Sequence, residues 1–124
     1  MANELYDVYN PGTDITCRAT AAVTGKRFVS ISGSRAAGNI AVAPAVAAGR
    51  VFGVAKYDAP VNDIVGVARG NCRVVPVTAA GAIAAGAEVE VGASGKATTK
   101  AAGVAVGFAV TAAVDGSDAQ ISLY

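Results

Sequence analysis

Fifteen glycines divide this chain of 124 residues into short segments, and the segments are built largely from Val, Ala, Ile and Thr. A Gly inside a helix costs about 1 kcal/mol relative to Ala. β-branched side chains lose rotamer freedom in a helix but pack well on a pleated surface. The many alanines therefore never run long enough to carry a helix. The rhythm is that of an all-β chain with tight turns.

Read on that basis, the chain predicts strands over Ile15 to Thr20, Lys26 to Ser32, Asn39 to Ala43, Arg50 to Lys56, Asp63 to Arg69 and Cys72 to Val77. Pro44 limits the third of these to an edge or an end. Ala79 to Ala85 reads as one helical turn or a loop. Glu88 to Val91 alternates, which points the acids outward and the valines inward. Gly92 to Gly95 is a hairpin turn, Lys96 to Lys100 a polar strand, and Val104 to Thr111 a long strand. Asp115-Gly116-Ser117 is a strong turn. Ala119 to Leu123 closes the chain, with Ile121 and Leu123 inward.

The triplet Gly-Val-Ala occurs at Gly53-Val54-Ala55, Gly66-Val67-Ala68 and Gly103-Val104-Ala105. Its unequal spacing argues against a solenoid, which needs a fixed period. In the stretch GVAVGFAV, Val104, Val106, Phe108 and Val110 share one face, and Ala105, Gly107 and Ala109 share the other. The bulky face is expected in the core. The small face is expected to admit another backbone or a neighbouring subunit. The expected architecture is a small barrel or sandwich.

Hydrophobic residues make up 53% of the chain, yet aromatics are 6% and charged residues 15%. A solitary monomer usually carries more charge for solubility, so the composition favours a subunit of an assembly. A net charge of +1 offers no basic surplus for phosphate, so nucleic acid is not an expected partner. No apolar run reaches the roughly 18 residues of a membrane helix, and MANELYDVYN lacks the basic and apolar regions of a signal peptide. Cys17 and Cys72 are expected to be reduced and packed as small hydrophobes, although sequence alone leaves a bridge between them open.

Histidine is absent, which removes Ser-His-Asp, Cys-His and His-metal chemistry. Thr24-Gly25-Lys26 lacks the upstream Gly of a phosphate loop, and Arg27 stands where Ser or Thr is needed. Glu88 and Glu90 are read as solvated charges on one strand face rather than an acid–base pair. The Asp115 turn is ordinary turn chemistry. No enzyme, metal or cofactor is expected.

The residues that remain are distinctive in their order. NPGTDITCRATAAVTGKRFVSISG is followed by APAVAAGRVFGVAKYDAPV, then RGNCRVVPVTAAGAIAAGAEVEVGASGKAT, then AAGVAVGFAVTAAVDGSDAQISLY. Over nearly its whole length this resembles the tailed-phage head decoration, or capsid cement, proteins, in the style of those from phages of actinobacteria. The resemblance implies a compact β-fold, barrel-like or β-tulip-like. It implies homotrimers at threefold and quasi-threefold positions on the outside of an expanded icosahedral head, binding the major capsid protein and holding the shell against the pressure of its DNA. Such a protein is made in the host cytoplasm and ends in the virion. Residues 1–12 form an expected N-terminal arm ahead of a single β-domain at 13–124. Within the arm, Leu5, Tyr6, Val8 and Tyr9 are the candidate capsid-binding residues, because they are too apolar for a free tail and Pro11-Gly12 lets the arm leave the body. The alternative is a surface module that binds carbohydrate or protein, against which the shortage of aromatics counts.

Overall fold

A computed structural model of the protein describes residues 14–124. The expected arm, with Leu5, Tyr6, Val8 and Tyr9, lies outside the described residues. Within them the fold is all-β. The strands are β1 (Asp14–Ala19), β2 (Phe28–Ile31), β3 (Ile40–Pro44), β4 (Gly53–Ala55), β5 (Ile64–Ala68), β6 (Val74–Thr78), β7 (Glu88–Val91), β8 (Ala97–Thr99), β9 (Gly107–Ala109) and β10 (Asp118–Leu123). The 79–85 segment is a loop, and the helical component is one 3-10 turn at Ala93–Gly95.

β1 to β5 form a closed barrel in the order β1-β3-β2-β4-β5. β6 to β10 form a sheet in the order β6-β10-β9-β7-β8. The second is the first built again. β1 with β5, β2 with β3, β2 with β4 and β4 with β5 are antiparallel, and so are β6 with β10, β7 with β8, β7 with β9 and β9 with β10. The first barrel closes through the parallel pair β1–β3, which includes Ala19 opposite Val42. The second is drawn shut by a single parallel bridge, Ala79 to Ala97. Two antiparallel bridges, Val23 to Ala59 and Ile83 to Ala113, tie the corners of each half in the same place. In each half one aspartate caps a facing turn: Asp58 accepts from Gly25 N–H and Asp115 from Gly81 N–H, both at 2.8 Å. The backbone turns match as well. Lys26 (φ 60) corresponds to Gly86 (φ 84), and Asn62 (φ 71) to Gly116 (φ 82).

A barrel of about eight strands is just wide enough inside for side chains to fill. Five strands leave less room, so alanines fill much of this core: Ala19, Ala55, Ala79, Ala97, Ala109 and Ala119 are buried. The same limit reverses one expectation. In β9 the small residues Gly107 and Ala109 face inward, while Phe108 and Val110 face outward and Val104 is exposed. Only Val106 of that set is buried, and the strand itself spans three residues. β7 departs from expectation too. Val89 and Val91 point inward as alternation requires, but Glu90 is also buried. The segment after β8 covers it: Ala101 N–H donates to Glu90 Oε1 at 3.2 Å, and a Cβ on Gly103 would collide with Oε2. Glu90 Oε2 has no hydrogen-bond partner. The glycine of the third triplet is thus a steric requirement of this lid. Elsewhere Val65, Val67, Ile121 and Leu123 lie in the core as their spacing indicates. The cysteines are both free; Cys17 is buried, whereas Cys72 is exposed.

The first half keeps a core cluster of its own around Cys17, Val29, Val42, Val65 and Val67, and a second cluster is shared by both halves. Phe28, Ala45 and Val54 from the first half pack with Val77, Val89, Val91 and Ile121 of the second. Phe28 is completely buried there, which contributes about 2–3 kcal/mol for a side chain of that size. Hydrogen bonds stitch the seam: Thr78 N–H donates to Lys26 C=O at 2.9 Å and Ala48 N–H to Val91 C=O at 2.8 Å.

The closest approaches of backbone to a glycine are again paired. A Cβ on Gly53 would sit 2.4 Å from Ala68 C=O, and one on Gly107 would sit 2.4 Å from Ser122 C=O. These glycines hold equivalent places, where β4 crosses β5 and β9 crosses β10. Gly53→Ala and Gly107→Ala are each expected to lower stability by about 1–3 kcal/mol, the usual cost of overpacking. Gly33→Ala, where a Cβ meets open space, should change stability by no more than about 0.5 kcal/mol. Urea unfolding of the three variants checks the contrast.

Candidate functional site

The outer face of the second sheet departs from a water-facing surface. Strand register aligns Val74, Ser122, Phe108 and Glu88 in one row across β6, β10, β9 and β7. A second row runs through Pro76 and Gln120 to Val110, whose N–H donates to Gln120 C=O at 2.8 Å. Val74 is 49% exposed, Phe108 38% and Val110 46%. Tyr124 continues the face, its ring 6.2 Å from that of Phe108. Its hydroxyl donates to Glu88 Oε2 at 2.7 Å, and that bond raises the Tyr124 pKa above its ordinary value. Single exposed apolar residues need no explanation, but a contiguous set framed by polar groups marks an interaction surface.

A charged seam borders this face. Asp14 lies between Arg73 at 2.8 Å and Lys56 at 2.6 Å. Lys26 pairs with Asp118 at 2.7 Å, and Thr78 Oγ1 donates to the same carboxylate at 3.0 Å. The Lys56 hydrogen bond is the main reason that Asp14 titrates low, and the Lys26 hydrogen bond does the same for Asp118. All of these groups are partly exposed, so water screens the pairs and each adds little stability.

Three arginines engage groups in different parts of the molecule. Arg69 stacks on the Phe52 ring at 4.2 Å and donates to its carbonyl. Arg73 binds Asp14, and Arg35 donates to Gly38 C=O within its own loop. The exposed Tyr57 lies over Gly66, whose N–H donates to its hydroxyl at 3.0 Å. Burial pushes the Cys17 thiol up to about 11. Among the described residues no three Cys, Asp or Glu side chains are grouped as metal ligands. The shared parity of Phe108 and Val110 is visible in the sequence, but the face they share is the outer one and not the core.

The fold is a doubled small β-barrel, and its candidate interaction surface is an apolar sheet face. The chain belongs to the phage cement protein family, whose model matches residues 9–123. Cement proteins are structural components of the phage particle, on the outside of the capsid. Among solved structures, the fold is similar to the N base of head fiber gp8.5 from bacteriophage phi29. The TM-score is 0.76 at 22% identity, over 90% of this chain and 92% of that one. No curated protein matches the sequence.

The depressed aspartates make a small part of the stability pH-dependent. A carboxylate whose pKa is lowered on folding stabilises the fold above its unfolded value, and the gain is lost as pH falls through the folded value. Asp14 and Asp118 both shift down from 3.8, so their contribution should be intact at neutral pH and disappear below that value. The double variant Asp14→Asn, Asp118→Asn is expected to show a flatter loss of stability with acid, read from urea midpoints between about pH 6 and about pH 2.5.

Proposed function

We propose that this protein is the cement of a tailed-phage head: it binds the major capsid protein as homotrimers at the threefold and quasi-threefold positions of the expanded shell and opposes the internal pressure of the DNA. The observation that carries the reading is the family match over residues 9–123. The chemistry of the chain is consistent with it. Charge is sparse, the second sheet offers an apolar face, and the fold is tied by many backbone hydrogen bonds between distant segments, which suits a part that must resist load rather than move.

Bridging is the mechanism. Each trimer presents several copies of one contact to neighbouring capsomers, so modest single contacts sum to a firm clamp. Residues 1–12 are the capsid-facing arm in this reading, ahead of a β-domain at 13–124. Leu5, Tyr6, Val8 and Tyr9 supply the contacts, with the arm adding a strand to an exposed sheet edge of the shell protein and the tyrosines anchoring it through an apolar ring and a polar tip. The protein works without catalysis, cofactor or nucleic acid.

Mixing the purified protein with undecorated, expanded heads of the parent phage tests this. Saturable co-sedimentation at about one trimer per local threefold position is expected. Deleting residues 2–10 should abolish co-sedimentation while the circular dichroism spectrum and melting of the remaining chain stay close to those of the full chain. Normal occupancy after that deletion would remove the arm from the mechanism, and failure of the full chain to bind heads would remove the cement reading altogether.

A further inference from the structure

The doubled architecture supplies a comparison that a single barrel could not. In the second half, the outer row reads Val74, Ser122, Phe108, Glu88. The equivalent row of the first half, by identical strand pairings, reads Asp14, Ala68, Val54, Phe28. The next row agrees too. Lys56 N–H donates to Gly66 C=O in the first half where Val110 N–H donates to Gln120 C=O in the second. The two rows differ in cover. Val54 is 3% exposed and Phe28 fully buried, because the second barrel sits on them and takes both side chains into its own core. Among the described residues, the equivalent face of the second barrel has no such cover, yet it carries Val74, Phe108, Val110 and Tyr124.

The molecule therefore holds its own example of what seals this face, namely another barrel of the same kind. Covering Phe28 takes the turn after β7: Gly95, at the end of the 3-10 turn, comes so close that its Cβ would lie 2.8 Å from Phe28 C=O. The corresponding turn of the first barrel follows β2, whose last residue is Ile31, an apolar side chain 53% exposed. The second barrel thus leaves an apolar face exposed and the first an apolar side chain, on different elements of one chain.

We propose that the outer face of the second sheet, centred on Phe108 and Val110, is a self-association surface on which the first barrel of a second copy docks head-to-tail through Ile31 and the turn after β2. The contact is heterologous, with two different surfaces meeting, so repetition closes a ring or runs into a filament. Closure after three copies makes it the interface of the trimer. This identifies the contact within the oligomer proposed above and rests on that reading for the number of copies.

The test uses the full chain and three single variants, Phe108→Glu, Val110→Glu and Ile31→Glu. All three positions are solvent-facing, so each variant is expected to fold with the wild-type circular dichroism spectrum and melting profile. Mass is read by light scattering over a concentration series, and by cross-linking on saturated heads. Each variant should weaken self-association about 100-fold or more, as a charge in the centre of an apolar contact does. Mixing Phe108→Glu with Ile31→Glu should restore one intact contact and yield a dimer that grows no further. This complementation is peculiar to a head-to-tail interface.

Three results would overturn the proposal while leaving the trimer reading intact. One is wild-type association in both Phe108→Glu and Val110→Glu. Another is wild-type association in Ile31→Glu beside monomeric Phe108→Glu, which means the face pairs with itself. The third is an intact trimer of Phe108→Glu that no longer binds heads, which means the face belongs to the capsid protein. A wild-type chain that stays monomeric both free and on heads would overturn the trimer reading and this interface together.

Discussion

The narrowness of a five-stranded barrel governs much of this structure. Strands wrapped so tightly leave little interior volume, and two glycines mark where the limit bites. At Gly53 and at Gly107 the crossing backbone passes where a Cβ would stand. Alanine fills much of what remains. The first barrel holds a core of its own around Cys17, Val42 and Val65, but an interior this narrow buries limited apolar area. The shared cluster around Phe28, Val54, Val89 and Ile121 enlarges it. Joining the halves is thus a consequence of barrel width, as the alanines are.

The doubling also creates an asymmetry. One set of positions is a buried seam in the first barrel and an exposed face in the second, and composition follows the environment. The buried row ends in Phe28, and the exposed row ends in Glu88, which holds the Tyr124 hydroxyl. Side chains at equivalent places differ according to what lies against them, while the Gly53 and Gly107 positions and the turn conformations at Lys26 and Gly86 and at Asn62 and Gly116 are alike. The family match gives a structural role at the phage head, and in such a role surfaces do the work that catalytic groups do in an enzyme.

Much of the fold was legible in the residues. Glycine spacing and β-branched runs located most of the strands, the Asp115-Gly116-Ser117 turn stands where its composition places it, and the order of short motifs along the chain pointed to the right family. The doubling was not legible. It rests on few identities, such as Val29 with Val89, Ala55 with Ala109 and Ala59 with Ala113, in a chain so rich in Ala and Val that such matches carry little information. Shared backbone conformation, as at Lys26 and Gly86, is invisible in residue names because one member is not a glycine. The orientation of β9 was misread for a related reason. Alternation separates two faces but does not say which is the core, and the usual guess that bulk goes inside fails where the inside has no room. Glu90 was misread because alternation describes a sheet with one wet face, and a later segment of chain covers that face here.

What the sequence by itself determined is therefore the class of structure: short strands, tight turns, no histidine chemistry and a surplus of apolar surface. These follow from local properties of residues, namely backbone freedom, branching at Cβ and ionisable groups. Tertiary structure alone decided which apolar residues are core and which are surface, and that the same sheet face is sealed in one half and open in the other. Burial is a property of what packs against a residue. In a chain where Val54 and Phe108 occupy equivalent sites, only the barrel lying on one of them distinguishes the two.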